Sequence, residues 1–116
     1  MRIAGLGFRS AASLASLTDA LDRAGPADAL ATSTAKAQAP VIVALARARG
    51  LPLIGVKVAG IATPTQSARV IAMLGTGSLA EAAALAALGP GARIVTPRTV
   101  SQDGMATAAI AEGDPT

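Results

Sequence analysis

The stretch Arg2-Ile3-Ala4-Gly5-Leu6-Gly7-Phe8-Arg9-Ser10 decides the fold. An apolar run from Ile3 that ends in glycines reads as a buried first strand over Arg2 to Gly7. Ser10 or Ser13 can cap the element that follows, in which Leu14, Leu17 and Leu21 recur at helical spacing. Asp19, Asp22 and Arg23 fall off that stripe, and Gly25-Pro26 closes the helix. A buried strand feeding an amphipathic helix opens an α/β domain.

The same alternation continues. Ala29 to Ser33 reads as a second strand, and Pro40 to Ala48 as a second helix with proline at an early position, where its missing N–H costs nothing. Val41, Ile42, Leu45 and Ala48 are its expected buried stripe. Leu51 to Val58 is a third strand, Lys57 to Gln66 a loop, Ser67 to Met73 a short helix and Gly75-Thr76-Gly77 a turn. Ser78-Leu79-Ala80-Glu81 has the pattern of a capping box ahead of an Ala-Leu helix that Gly89-Pro90 closes. Arg93 to Pro97 and Met105 to Ala111 are closing strands joined by a polar loop. The order predicts a three-layer α/β/α sandwich on a mixed, mostly parallel sheet of about five strands. With 116 residues the chain fits one domain, taken as residues 1–111, with 112–116 as a tail.

Composition narrows the chemistry. Hydrophobic residues make up 52% of the chain, yet there is one Phe and no Tyr or Trp. The core must therefore be Leu, Ile, Val and Ala, and a second copy of the chain, forming a homodimer, is one way to complete so Ala-rich a core. Cysteine and histidine are both absent, which removes disulfides, thiolate nucleophiles, imidazole acid–base chemistry and the commonest zinc and iron ligand sets. No cofactor and no metal are expected. Ten basic against seven acidic residues leave a charge of +3, but the cations are scattered and no aromatic platform exists on which bases could stack, which argues against nucleic acid. Lys57, Arg69, Glu81 and Arg93 interrupt the apolar parts, so no membrane span is expected. With no secretion signal visible, the chain reads as cytoplasmic.

Gly5-Leu6-Gly7-Phe8-Arg9 is half of a dinucleotide fingerprint: its glycines allow a tight turn, and the helix start behind it favours an anion. Ser10 stands where the third glycine belongs, and no acid ends the second strand to hold a ribose. Two readings stand. Gly5 and Gly7 either serve tight strand–helix packing alone, or with Arg9 they form a carboxylate or phosphate site. Thr32, Ser33, Thr34 and Lys36 end the second strand, and adjacent strand ends in an open α/β sheet share one crevice. Thr34 can equally cap the second helix while Lys36 stays solvated. Glu81 is read first as a capping residue. No paired carboxylates and no base beside a serine are visible, so no nucleophile–base pair can be assembled.

Gly5-Leu6-Gly7-Phe8-Arg9, Ala31-Thr32 followed by Lys36, Ser78-Leu79-Ala80-Glu81-Ala82-Ala83-Ala84-Leu85 and Ala106-Thr107-Ala108-Ala109-Ile110-Ala111 occur in one order. Together they resemble the CobE-type proteins of cobalamin biosynthesis and the C-terminal domain of their longer relatives, CbiG. CbiG proteins carry further N-terminal domains and are associated with opening a lactone on a cobalt-precorrin and releasing acetaldehyde. With 116 residues the chain looks like the stand-alone type, and the resemblance then implies the aerobic pathway. The resemblance implies a corrin or precorrin intermediate as ligand. Arg9, Lys36, Arg98 and exposed helix N-termini would hold its carboxylate fringe, with Phe8 and Leu6 on the ring and Ser78 and Thr107 nearby. A hydrolase or isomerase acting on a precorrin, or a subunit assisting another pathway enzyme, are the alternatives. The family often has an acid at the position of Thr34, a Glu near Ala39 and a Lys at that of Arg98. The neutral Thr34 and Ala39 favour binding over hydrolysis.

Overall fold

In a computed structural model, which describes residues 1–61, 63 and 78–113, the first strand pairs along its whole length with the last. Strand β1 spans Arg2–Phe8, helix α1 Leu14–Ala24, β2 Ala29–Ser33 and α2 Pro40–Arg49. A 3-10 turn at Lys36–Gln38 precedes α2. Strand β3 follows at Leu53–Val56, then α3 at Leu79–Leu88, β4 at Arg93–Val100 and β5 at Ala106–Glu112. The helix expected over Ser67 to Met73, the turn at Gly75-Thr76-Gly77 and most of the loop before them lie outside the described residues.

The sheet order is β3-β2-β1-β5-β4. β1, β2 and β3 run parallel, while β5 is antiparallel to both β1 and β4. The α/β class, the mixed sheet and the closing hairpin are as expected; β4, antiparallel to β5, points the same way as β1, β2 and β3, so four of the five described strands share one direction. Alternation along β1 sorts the core. Ala4, Leu6 and Phe8 join Leu17 and Leu21 of α1 and Ile42 and Leu45 of α2. Ile3 instead joins Ala29, Ala31 and the α3 residues Leu79, Ala82 and Ala83. Since neighbouring strand residues point to opposite faces, α1 and α2 cover one face and α3 the other.

Local chemistry explains the boundaries. Ser13, not Ser10, caps α1, in a reciprocal box with Ser16, and Leu14 is left exposed. Pro40 starts α2, and Gly50 ends it in the left-handed region (φ 64°), where glycine carries no Cβ penalty. The buried residues of α2 are Ile42, Leu45 and Ala46; Ala48 is exposed. β4 does not stop at Pro97 but continues to Val100. It is an edge strand with register shifts between Thr96 and Thr99, and an edge bulge is where proline is tolerated inside a strand. Glu112, expected in a frayed tail, is the last residue of β5 and is paired with Arg2 and Arg93.

Candidate functional site

Parallel strands end on the same side of a sheet, and three consecutive carbonyls at the end of β1 show what that does to the candidate residues. The Thr32 hydroxyl donates to Leu6 O (2.8 Å), the Thr107 hydroxyl to Gly7 O (3.3 Å) and Lys36 Nζ to Phe8 O (2.6 Å). Thr32 comes from β2, Lys36 from the 3-10 turn beyond it and Thr107 from the start of β5. Lys36 Nζ also lies 4.8 Å from the centre of the Phe8 ring, within cation–π range. Residues far apart in sequence thus meet at one sheet edge, where they tie the end of β1 to its neighbours.

Arg9 is the first residue beyond β1; its amide donates to Met105 O (2.9 Å) and its side chain is exposed. Thr34 is exposed beyond β2, its amide on Val56 O (3.1 Å). Ser78, at the start of α3, is buried and accepts the Glu81 amide (3.3 Å). These residues, with Gly7 and Phe8, share the edge.

Gly5 and Gly7 are strand residues rather than a turn. A Cβ on Gly5 would overlap the Ala80 carbonyl and lie 2.7 Å from Ala84 N; one on Gly7 would lie 2.8 Å from the Thr107 hydroxyl. The pair is the flat seat on which α3 rests, and the chain turns only after Phe8. Leu6 is fully buried and Phe8 nearly so, so the expected apolar contact surface is part of the core. Glu81 is also fully buried. Its carboxylate reaches across to the Arg98 amide at 3.0 Å, so its described bond is to β4 and not to Ser78 as a capping box would require. Arg98 sits within the edge strand β4, half-buried, and not in the polar loop.

Glu112 pairs with Arg2 and Arg93, Asp19 with Arg23, and Asp22 with Arg49. Among the described residues, Arg9 and Arg98 have no such acidic partner. A solvent-open hollow of about 540 Å³ beside this edge is lined by Ala15, Ser16, Asp19, Gln102 and Asp103, none of them singled out by sequence. Here the structure corrects one expectation, since Asp19 and Asp103 face one hollow from positions far apart in the chain. Hydrogen bonds from the Ser101 hydroxyl, the Ser16 hydroxyl and the Met105 amide hold the Asp103 carboxyl below its ordinary value; the Gln102 amide and then Arg23 do the same for Asp19. Both are therefore carboxylates at neutral pH, unsuited to act as proton donors. The only sequence hint of this pair was that Asp19 falls off the apolar stripe of α1.

Fold and edge together define a small mixed α/β domain in which Phe8, Arg9, Thr32, Thr34, Lys36 and Thr107 gather where three parallel strands end. The chain belongs to the family described as cobalamin synthesis G C-terminus, which it matches over residues 2–111. It is similar to the crystal structure of CobE, a protein from the cobalamin (vitamin B12) biosynthetic pathway, with a TM-score of 0.80 and 28% identity over 96% of this chain and 89% of that one. It is also similar to the cobalamin biosynthesis protein chiG from Agrobacterium tumefaciens str. C58, with a TM-score of 0.68 and 32% identity over 98% and 99% of the two chains. No curated protein matches it.

Proposed function

We propose that this three-layer α/β/α domain binds a carboxylate-rich corrin intermediate, such as a precorrin or hydrogenobyrinic acid, and hands it on within the aerobic corrin pathway of the cytoplasm. Arg9, Lys36 and the edge around Thr34, Ser78 and Thr107 receive the carboxylates; Gly5 and Gly7 contribute by letting α3 lie close. One observation carries the reading. Arg9 is exposed at the edge without a described acidic partner, while Arg2, Arg23, Arg49 and Arg93 are each paired with an acid. A guanidinium offers a fixed fork of donors that suits carboxylates. Membership of a cobalamin-synthesis family supplies the class of acid.

Mixing the purified chain with hydrogenobyrinic acid and separating by gel filtration tests this. Coloured tetrapyrrole that co-elutes with the protein and has an unchanged mass supports binding without turnover. A product of altered mass supports the hydrolase or isomerase instead, and colourless protein removes the binding reading.

A further inference from the structure

We propose that Val100 and Met105, on either side of Thr107, form the apolar contact for the ring of the bound tetrapyrrole. The inference rests on the corrinoid reading and names the part of that site that Leu6 and Phe8, both packed into the core, do not supply.

Strands β1, β5 and β4 are neighbours in that order. Gly7 opposes Thr107, and Thr107 opposes Val100; residues directly opposed across an antiparallel pair share one face. That face is the one α3 covers, because a Cβ on Gly7 would lie 3.4 Å from the Leu79 side chain. The Arg9 amide donates to Met105 O (2.9 Å) and carries the β1–β5 register one pair past Phe8 and Ala106. Met105 and Arg9 therefore fall in line with Thr107 and Gly7. Neighbouring strands lie about 4.8 Å apart, so from β1 to β4 the surface is about 10 Å wide.

Exposure grows outward across it: Gly7 is buried, Thr107 half-buried and Val100 45% exposed. Met105 is half-buried beside them. The Thr107 hydroxyl is taken up by Gly7 O (3.3 Å), which leaves its methyl to join Val100 and Met105. Of the other large hydrophobic residues exposed among the described residues, Met1 precedes β1 at the far end of the sheet and Leu14 belongs to α1 on the other face. An apolar strip with a guanidinium at one corner suits a flat ring fringed with carboxylates. Apolar contact does not depend on the balance of charge at this edge, to which Asp19 and Asp103 contribute from the α1 side.

The test is an amide-shift titration of the nitrogen-15-labelled chain with hydrogenobyrinic acid and, separately, with anilinonaphthalene sulfonate, an aromatic apolar anion. Both probes are expected to shift amides in residues 99–100 and 105–107. Val100→Thr/Met105→Gln, at positions outside the buried core, should weaken hydrogenobyrinic acid by about fivefold. Leu14→Gln, at a comparably exposed apolar position on the other face, should not. Shifts confined to other residues, or equal weakening by Leu14→Gln, overturn the contact. If hydrogenobyrinic acid binds wild type and the double variant alike, the contact falls and the corrin reading stands. If it fails to bind wild type, the corrin reading falls. The apolar patch then stands if anilinonaphthalene sulfonate shifts the same amides and loses that response in the double variant, and falls otherwise.

Discussion

The buried Glu81 carboxylate accepts the Arg98 amide at 3.0 Å, and this bond fastens the first turn of α3 to the irregular part of β4. Thr96 faces Ile110 and Thr99 faces Ala108, so Pro97 and Arg98 together oppose Ala109. Pro97 has no N–H, and the bulge takes the Arg98 N–H out of the regular ladder. Glu81 supplies the missing acceptor near a helix N-terminus, where a negative charge is favoured. Glu81→Ala strands that donor and should cost about 1–3 kcal/mol in urea unfolding. Glu81→Gln keeps an acceptor and should cost less. Equal stability of Glu81→Ala and wild type would show that the bond contributes nothing.

Gly5 is where α3 comes closest to the sheet. An added methyl would meet the Ala80 and Ala84 backbone, which no rotamer change relieves. Gly5→Ala should therefore lose about 3 kcal/mol or more. Gly7→Ala meets a movable side-chain hydroxyl of Thr107 and should lose less. Thermal unfolding of both variants checks the order, and the reverse order would contradict the seat.

Thr32 is buried with its hydroxyl on Leu6 O. Thr32→Val keeps the shape and deletes the bond, so a loss of about 1 kcal/mol is expected in chemical unfolding. Thr32→Ser retains the hydroxyl, and failure of Ser to outperform Val at that carbonyl would argue against the bond.

Asp103 makes acid stability depend on one loop. Its folded-state carboxyl is held below the ordinary value by donors from Ser101, Ser16 and Met105. The fold therefore favours the charged form. The resulting stability is present above the unfolded value, about 3.9, and is lost as pH falls through the lower folded value. Asp103→Asn should be less stable than wild type at neutral pH and should flatten the decline below about pH 4. Parallel acid limbs for the two proteins in a pH series of melting curves would refute the assignment.

What the sequence made legible follows from how local each signal is. β2 is read to the residue because Ala29 to Ser33 carries its own pattern, and Ser78 is read as a cap because its partner amide is three residues on. Gly5 and Gly7 were misread as a turn because the helix that requires them lies far along the chain. Leu6 and Phe8 were assigned to a ligand, but only packing against α1 and α2 shows that they are spent on the core. β4 was cut short at Pro97 because nothing near that proline reveals that its strand lies at an edge. Asp19 and Asp103 were unreadable as a pair for the same reason, whereas Arg9 and Lys36 could be brought together on the rule that adjacent strand ends share a crevice.

The most direct measurement of the central claim is an absorbance titration of hydrogenobyrinic acid with the chain and with Arg9→Ala/Lys36→Ala, each checked for native folding by circular dichroism. A saturable spectral shift with wild type, weakened about tenfold or more by the double substitution, is the predicted result. No shift with wild type, or the same curve for both proteins, would contradict a corrinoid site at the ends of the parallel strands.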